Sequence, residues 1–285
     1  LLGDKQSFIN PPRALQSPFD ELAALVAHVP QTARRLSHRT GFLPGYGPGE
    51  NAVTMHVLGP IEESFDGGSG LRFLASDSQT VNGHSVVLRL DYGQTRILLT
   101  GDLNARAQKL LLSYHPDSAF AADAAKACHH GSEDFHLDFL KAMQPRATII
   151  SSGDNEDYAH PRPVLMGASG RYGREATTAN GETITPLLYS TELARSIKLD
   201  YASAVLVDLD RDPATPMTCV YPRYASVKAG AGSNARWRRL SYTPVAVDLV
   251  YGLVNVRTDG VHILCATMEE KGNDFDYKVF KAGVS

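Results

Sequence analysis

The stretch HSVVLRLDYGQTRILLTGD, residues 84–102, decides the fold class. Val86, Leu88 and Leu90 alternate with Val87, Arg89 and Asp91, the period of a strand, and YGQT (92–95) supplies a turn. RILLT (96–100) is almost continuously apolar, which predicts a strand buried on both faces. Working outward, AVTMHVLGP (52–60) reads as a preceding strand. On the other side LNARAQKLLLSY (103–114) reads as a helix, AAKACHH (124–130) as a short strand, EDFHLDFLKAM (133–143) as a helix, and RATIISSG (146–153) as another buried strand. From about 52 to 160 the order is β, ββ, α, β, α, β, which predicts α/β layers rather than a sandwich of sheets or a helical bundle.

The flanks differ in texture. SPFDELAALVAHVP (17–30) is a well-marked helix: Ser17 caps it, Pro18 suits the first turn, Asp20 and Glu21 favour the positive end of the dipole, and Pro30 closes it. Its Leu22, Leu25 and Val26 share one face. LPGYGPGEN (43–51) reads as a loop. Beyond about Ile184 the chain is strand-rich, in SIKLDYASAVLVDLD (196–210), PMTCVYP (216–222), VAVDLVYGLVNVRTDGVHILCATM (245–268) and DYKVFKA (276–282). RTDG (257–260) is a hairpin turn, and GASGRYGREATTANGET (167–183) and KAGAGSNAR (228–236) read as exposed loops. The expected division is 1–170 as one layered domain and 171–285 as a strand-rich extension that completes or decorates it.

The chain has 285 residues, 43% apolar and 21% charged, enough for a real core. A net charge of −3 excludes a uniformly basic nucleic-acid binder but not a local basic patch. Its three cysteines, Cys128, Cys219 and Cys265, form no CxxC, so they are read as free thiols in a reducing compartment, the cytoplasm. No apolar run reaches the roughly 18 residues of a membrane helix and no signal peptide is visible, so no membrane partner is expected.

Three polar stretches follow three predicted strands. Asp102 ends LLTGD, His129 and His130 lie in ACHHGS, and His160 lies in SSGDNEDYAHPRP. Layered α/β folds bind ligands beyond the carboxyl ends of their strands. Asp and His converging there predict a metal site for zinc, manganese or iron. Asp102 alone reads equally well as a helix cap. In HHGS the Gly-Ser turn leaves side chains exposed.

These same residues carry a resemblance. NGHSVVLRLDYGQTRILLTGD, then AKACHHGSEDFHLDFLKAMQPRATIISSGDNEDYAHPRP, resembles the metallo-β-lactamase superfamily, in the branch with the soluble domain of ComEC-type DNA-uptake proteins. The pattern of that branch, N-x-x-S, L-L-T-G-D, H-H-G-S, S-x-G and His-Pro, runs in order from Asn82 to Pro163. The resemblance implies an αββα sandwich, here partial, and a hydrolase with two divalent metal ions, zinc or manganese. It implies Asp102 as the bridging carboxylate and His160 as a late ligand. His129 and His130 fall where metal-binding or proton-donating histidines belong, and which does which stays open.

The leading signature, H-x-H-x-D-H, is absent: His28, His38 and His56 are isolated. The chain also opens LLGDKQSF, without Met. Two expectations follow. Either an amino-terminal half was removed or is supplied by a second polypeptide or chain segment, or this is a catalytically dead relative. Half of a duplicated fold would leave a whole sheet face bare unless another polypeptide covered it.

His84 reads as a strand-start residue and His136 as surface on a helix. Asp154, Asn155, Glu156 and Asp157 form a polar loop that could orient His160. ARWRRLSY (235–242) sets Arg236, Arg238 and Arg239 around the single Trp237, which suits phosphate contact and base stacking or an edge strand blunted by charge. Ser132, Arg236, Trp237 and Arg238 are the candidate substrate contacts, and His129, His130 and Asp102 the candidate catalytic groups. The expected activity is metal-bound hydroxide attack on a phosphodiester or related ester, with nucleic acid preferred, a nuclease or phosphodiesterase. The alternative is an inactive scaffold or sensor that binds a protein partner.

Overall fold

The computed structural model describes residues 19–28, 35–65, 68–153, 160–192, 226–229, 236–239, 252–269 and 275–284. The first described element is helix α1 (Phe19–His28), with Asp20 and Glu21 in its first turn. Its Leu25 is 68% exposed. A seven-stranded mixed sheet follows. Its strands are β1 (Gly41–Phe42), β2 (Thr54–Gly59), β5 (Val87–Tyr92), β6 (Thr95–Leu99), β7 (Ala124–Lys126), β8 (Ala147–Ile150) and β11 (Leu187–Ser190), in that spatial order. The strands from β1 to β6 pair antiparallel, and those from β6 to β11 pair parallel. A small hairpin, β3 (Glu63–Phe65) with β4 (Gly68–Gly70), projects after β2.

Helices line one face. They are α2 (Asp77–Gly83), α3 (Ala105–Tyr114), α4 (Leu137–Met143) and α5 (Pro163–Tyr172). Val87, Leu98, Ala125 and Ile150 point from the strands into a core with Leu103, Leu111, Phe120, Phe139 and Leu165. Burying such side chains contributes about 1.5–3 kcal/mol each. The opposite face carries Ala124, Ala147 and Tyr189, which pack against Ile263, Cys265 and Phe280 of a three-stranded sheet. That sheet is β14 (Gly252–Thr258), β15 (His262–Glu269) and β16 (Phe275–Lys281), with RTDG at its first turn as predicted. The architecture is thus an α/β sandwich of helices, large sheet and small sheet, with the strand-rich carboxyl-terminal part present. The sheet face expected to be bare is covered in part by the chain's own last three strands.

Several local readings are corrected. β6 is buried on both faces along most of its length, through Leu98 on one and Thr95 on the other, and the reading fails only at its end, where Leu99 is 39% exposed. Ile97 on the same face as Leu99 reaches the carboxyl-terminal sheet's core. The segment GASGRY, read as loop, is the second half of α5, whose Pro163 occupies the first turn. Gly167 and Gly170 lower its helix propensity, and tertiary packing of Leu165 overrides them. His84 is not a strand start; it ends α2, with its Nε2 donating to the Arg72 carbonyl at 2.8 Å. Helix α4 starts at Leu137, so His136 precedes it as the amino-terminal cap residue, with its Nδ1 buried.

The chain divides into two compact units, 1–194 with 250–285, and 195–249. In the second, strands β12 (Ser226–Ala229) and β13 (Arg236–Arg239) form an antiparallel hairpin. The readings of 196–210 and 216–222 as strands lie outside the described residues. The first unit also holds the short pair β9 (Ala176–Thr177) and β10 (Thr183–Ile184).

Candidate functional site

The loops after β6, β7 and β8 meet at one edge of the large sheet, and those after β6 and β7 use left-handed backbone to do so. Gly101 has φ +59°, and a Cβ there would stand 2.5 Å from Ser85 Cβ. This close approach lets the Asp102 amide donate to Ser85 Oγ at 2.9 Å. Asp102 does not cap α3: Asn104 does, its side chain accepting from the Ala107 amide at 3.0 Å. The helix-cap reading of Asp102 therefore fails, and its carboxylate serves elsewhere.

After β7 the chain makes a tight turn over Cys128–Gly131. His129 (φ 47°) and His130 (φ 54°) are both left-handed, and Gly131 (φ +87°) follows. Two consecutive non-glycine residues in this region cost on the order of 1–2 kcal/mol each, a strain that packing must hold. A Cβ on Gly131 would lie 2.6 Å from Pro161 Cβ, and the Gly131 carbonyl accepts the Arg162 amide at 2.8 Å. The HHG turn and the His160–Pro161 segment are thereby locked together.

The turn sends the two histidines different ways. His130 Nδ1 donates to the Ser151 carbonyl at 2.7 Å, and its Nε2 stands 3.5 Å from Asp102 Oδ1. A carbonyl only accepts, so Nδ1 carries the proton and Nε2 is the atom turned to Asp102. The His129 ring stacks edge-on against His160, centroids 5.7 Å apart, and its Nε2 faces the Asn82 side-chain amide at 3.5 Å. His129 Nδ1 is buried without a hydrogen-bond partner. His160 is 6% exposed, and its carbonyl accepts from Ser152 Oγ at 2.7 Å. The four residues read as ligands thus come to one strand edge as two pairs, Asp102 with His130 and His129 with His160.

Sequence reasoning missed Lys126. Its Nζ donates to the Gly101 carbonyl at 2.9 Å and the Ala127 carbonyl at 3.1 Å, and lies 3.7 Å from Asp102 Oδ1. The available signal was a charged residue inside an alanine-rich strand, AAKAC. Asn82 and Ser85, the ends of the N-x-x-S pattern, also belong to the site: Asn82 faces His129 and Ser85 holds the Asp102 amide. Ser132 is 9% exposed, and its Oγ accepts the Asp134 amide at 3.1 Å within its own turn. Arg236, Trp237 and Arg238 lie on β13 in the other compact unit, and their side chains lie outside the described residues, as does the acidic loop Asp154–Asp157. Cys128 is buried under the turn, and desolvation pushes its thiol up to about 11, so it is no nucleophile near neutral pH.

A catalytic zinc site takes three protein ligands and a structural one takes four. Among the described residues no three His, Cys, Asp or Glu are placed to hold a metal ion. Asp102 Oδ1 and His130 Nε2 converge as two donors, but Oδ1 is also paired with Lys126, and His129 Nε2 is turned to an amide. The described residues therefore do not complete a metal centre by themselves.

No protein-family model matches the chain. ComE operon protein 3 of Bacillus subtilis (strain 168) is 35% identical over 93 residues, 32% of this chain and 12% of that protein. About a third of this chain is similar to such proteins. Competence protein ComA of Neisseria gonorrhoeae is 31% identical over 86 residues, 30% of this chain and 12% of its own length. Recombination protein 2 of Haemophilus influenzae (strain ATCC 51907 / DSM 11121 / KW20 / Rd) is 30% identical over 104 residues, 35% of this chain and 13% of its own. The chain spans about an eighth of the length of the curated relatives it matches. Among the described residues no helix is long and apolar enough to cross a membrane.

Proposed function

We propose that this chain acts on DNA, binding the phosphodiester backbone at the strand-end site and hydrolysing it as a metallo-β-lactamase-type phosphodiesterase. The observation that carries the reading is the arrival of Asp102, His129, His130 and His160 at one sheet edge, in a chain of which about a third is similar to competence proteins. In this reading zinc or manganese ions would need donors beyond Asp102 and His130. The chain's own contribution is positional. Ser85 and Lys126 fix the Asp102 loop, and the Ser151 carbonyl fixes the His130 tautomer. His130 Nε2 would then either join Asp102 in holding an ion or, free of metal, move a proton at the leaving oxygen.

A specific observation favours a second reading, a non-catalytic scaffold that binds a protein partner. Asp102 already has two cationic or protonatable neighbours, Lys126 and His130, and no three donors converge among the described residues.

One experiment separates the two. Fluorescence anisotropy of labelled single- and double-stranded DNA is measured across a salt series, and cleavage is followed with added manganese or zinc, for wild type and Asp102→Ala. Salt-sensitive binding with cleavage that disappears in the variant supports the phosphodiesterase. Absence of cleavage in both, with equal binding, supports the scaffold. Absence of DNA binding and cleavage overturns the DNA reading.

A further inference from the structure

We propose that Lys126 is the resident cation of this site: its ammonium holds the place beside Asp102 that a second divalent ion would need, so the chain takes up no more than one such ion. The inference rests on the strand-end site being the one that serves the proposed DNA chemistry, and it narrows that reading from two ions to one.

The tether is what makes Lys126 more than a surface lysine. An ammonium has three donors. Two are committed to carbonyls from two different strand-end loops, Gly101 at 2.9 Å and Ala127 at 3.1 Å, and the charge then stands 3.7 Å from Asp102 Oδ1. The backbone of Lys126 is fixed as well. It pairs with Ile149 of β8, and its carbonyl accepts from Thr100 Oγ1 at 2.9 Å. The side chain is 23% exposed. Swinging away from Asp102 would take the lysine donor from the Ala127 carbonyl and leave the Gly101 carbonyl with the His129 amide alone, at 3.1 Å.

A carboxylate that bridges two dications offers one oxygen to each. Here Oδ1 is already faced by Lys126 and by His130 Nε2 at 3.5 Å. A dication placed on the Lys126 side would sit within a few ångströms of a fixed positive charge, in a partly desolvated site where screening is weak. On the His130 side only two donors, Asp102 Oδ1 and His130 Nε2, converge among the described residues, and Lys126 weakens that place as well because it faces the same oxygen. The result is one resident cation tethered at Asp102 and at most one further dication.

The test is equilibrium dialysis of the full 285-residue chain against zinc or manganese, with metal content read by plasma mass spectrometry. Wild type, Lys126→Gln, Lys126→Met and Lys126→Arg are compared, and melting curves establish which variants fold. Wild type is expected to hold no more than one ion per chain. Lys126→Gln or Lys126→Met should bind the first ion roughly tenfold tighter or admit a second, and Lys126→Arg should behave as wild type. Two ions in wild type overturn the proposal, and so does unchanged uptake in both neutral variants, including no uptake throughout. Should neither neutral variant fold, the wild-type stoichiometry and Lys126→Arg decide it. The DNA assay is independent. Loss of DNA binding and cleavage with the expected metal pattern would sink the phosphodiesterase and leave the resident cation standing. Two ions with cleavage would do the reverse.

Discussion

His130 bridges two strand ends, its Nδ1 bound to the Ser151 carbonyl after β8 at 2.7 Å and its Nε2 facing Asp102 Oδ1 after β6 at 3.5 Å. The two ring nitrogens therefore do separable work, one structural and one chemical. An asparagine reproduces the Nδ1 donor, and an alanine reproduces neither. His130→Asn should melt within about 2 °C of wild type, while His130→Ala melts lower. Both should lose DNA cleavage equally, because both lack Nε2. Cleavage retained in His130→Asn would remove His130 from the proposed proton transfer.

Gly101 leaves no room for a side chain. A methyl group there would press on Ser85 Cβ at 2.5 Å, in a residue with φ +59°. Gly101→Ala should destabilise the protein by about 2 kcal/mol and displace the Asp102 amide from Ser85 Oγ. Urea melts report the first effect, and the loss of DNA response reports the second. Gly45, also left-handed but with open space around its Cβ position, is the control and should cost about 1 kcal/mol on substitution.

Asp123 ties the large sheet to the carboxyl-terminal segment. Its carboxylate is fully buried and accepts from the Arg146 guanidinium, the Gly283 amide at 3.0 Å and the Arg96 amide at 2.9 Å. Arg146 also donates to the Gly283 carbonyl at 2.8 Å. Asp123→Ala leaves the guanidinium and two amides without their acceptor and should cost about 3–5 kcal/mol. Thermal unfolding checks it. A loss below about 1 kcal/mol would mean that water replaces the carboxylate there.

The stability of this fold should fall on acidification. Burial, then the charges of His115 and Arg39, hold the His38 imidazole below its ordinary 6.5. Burial, then Arg89, do the same for His56 against the opposing pull of Asp91. A histidine with a lowered folded value takes up its proton more readily in the unfolded chain. Stability is therefore full above about pH 6.5 and declines as pH falls below it. Melting temperatures at pH 7.5 and 5.5 measure the slope, and His56→Gln should flatten it. The Asp259 carboxylate acts later. Hydrogen bonds from the His262 and Val261 amides hold it at about 2, so its contribution is complete above the ordinary carboxylate value of 3.8 and disappears only as pH falls toward 2.

Much of this was legible in the chain itself. The alternation of residues 86–91 and the apolar run 96–100 placed β5 and β6, and with them the strand edge where Asp102, His129, His130 and His160 lie. A two-residue period is a local consequence of backbone geometry, so it survives in one dimension. The placement of polar residues just beyond strands is local in the same sense. Short or glycine-bearing helices were not legible: α2 has seven residues, and α5 carries Gly167 and Gly170, so tertiary packing rather than propensity forms them.

Only the tertiary structure decided how the edge is wired. Parallel pairing of β6, β7 and β8 brings Gly101, Lys126 and Ser151 side by side. The left-handed turn at His129 and His130 then divides two adjacent imidazoles between Asn82 with His160 and Asp102 with Ser151. No spacing rule encodes that division, because it depends on strained backbone angles held by contacts with Pro161 and Gly101. Sequence supplied the donors. The turn geometry and a lysine tethered to two neighbouring loops determined which of them face one another and how much positive charge already stands among them.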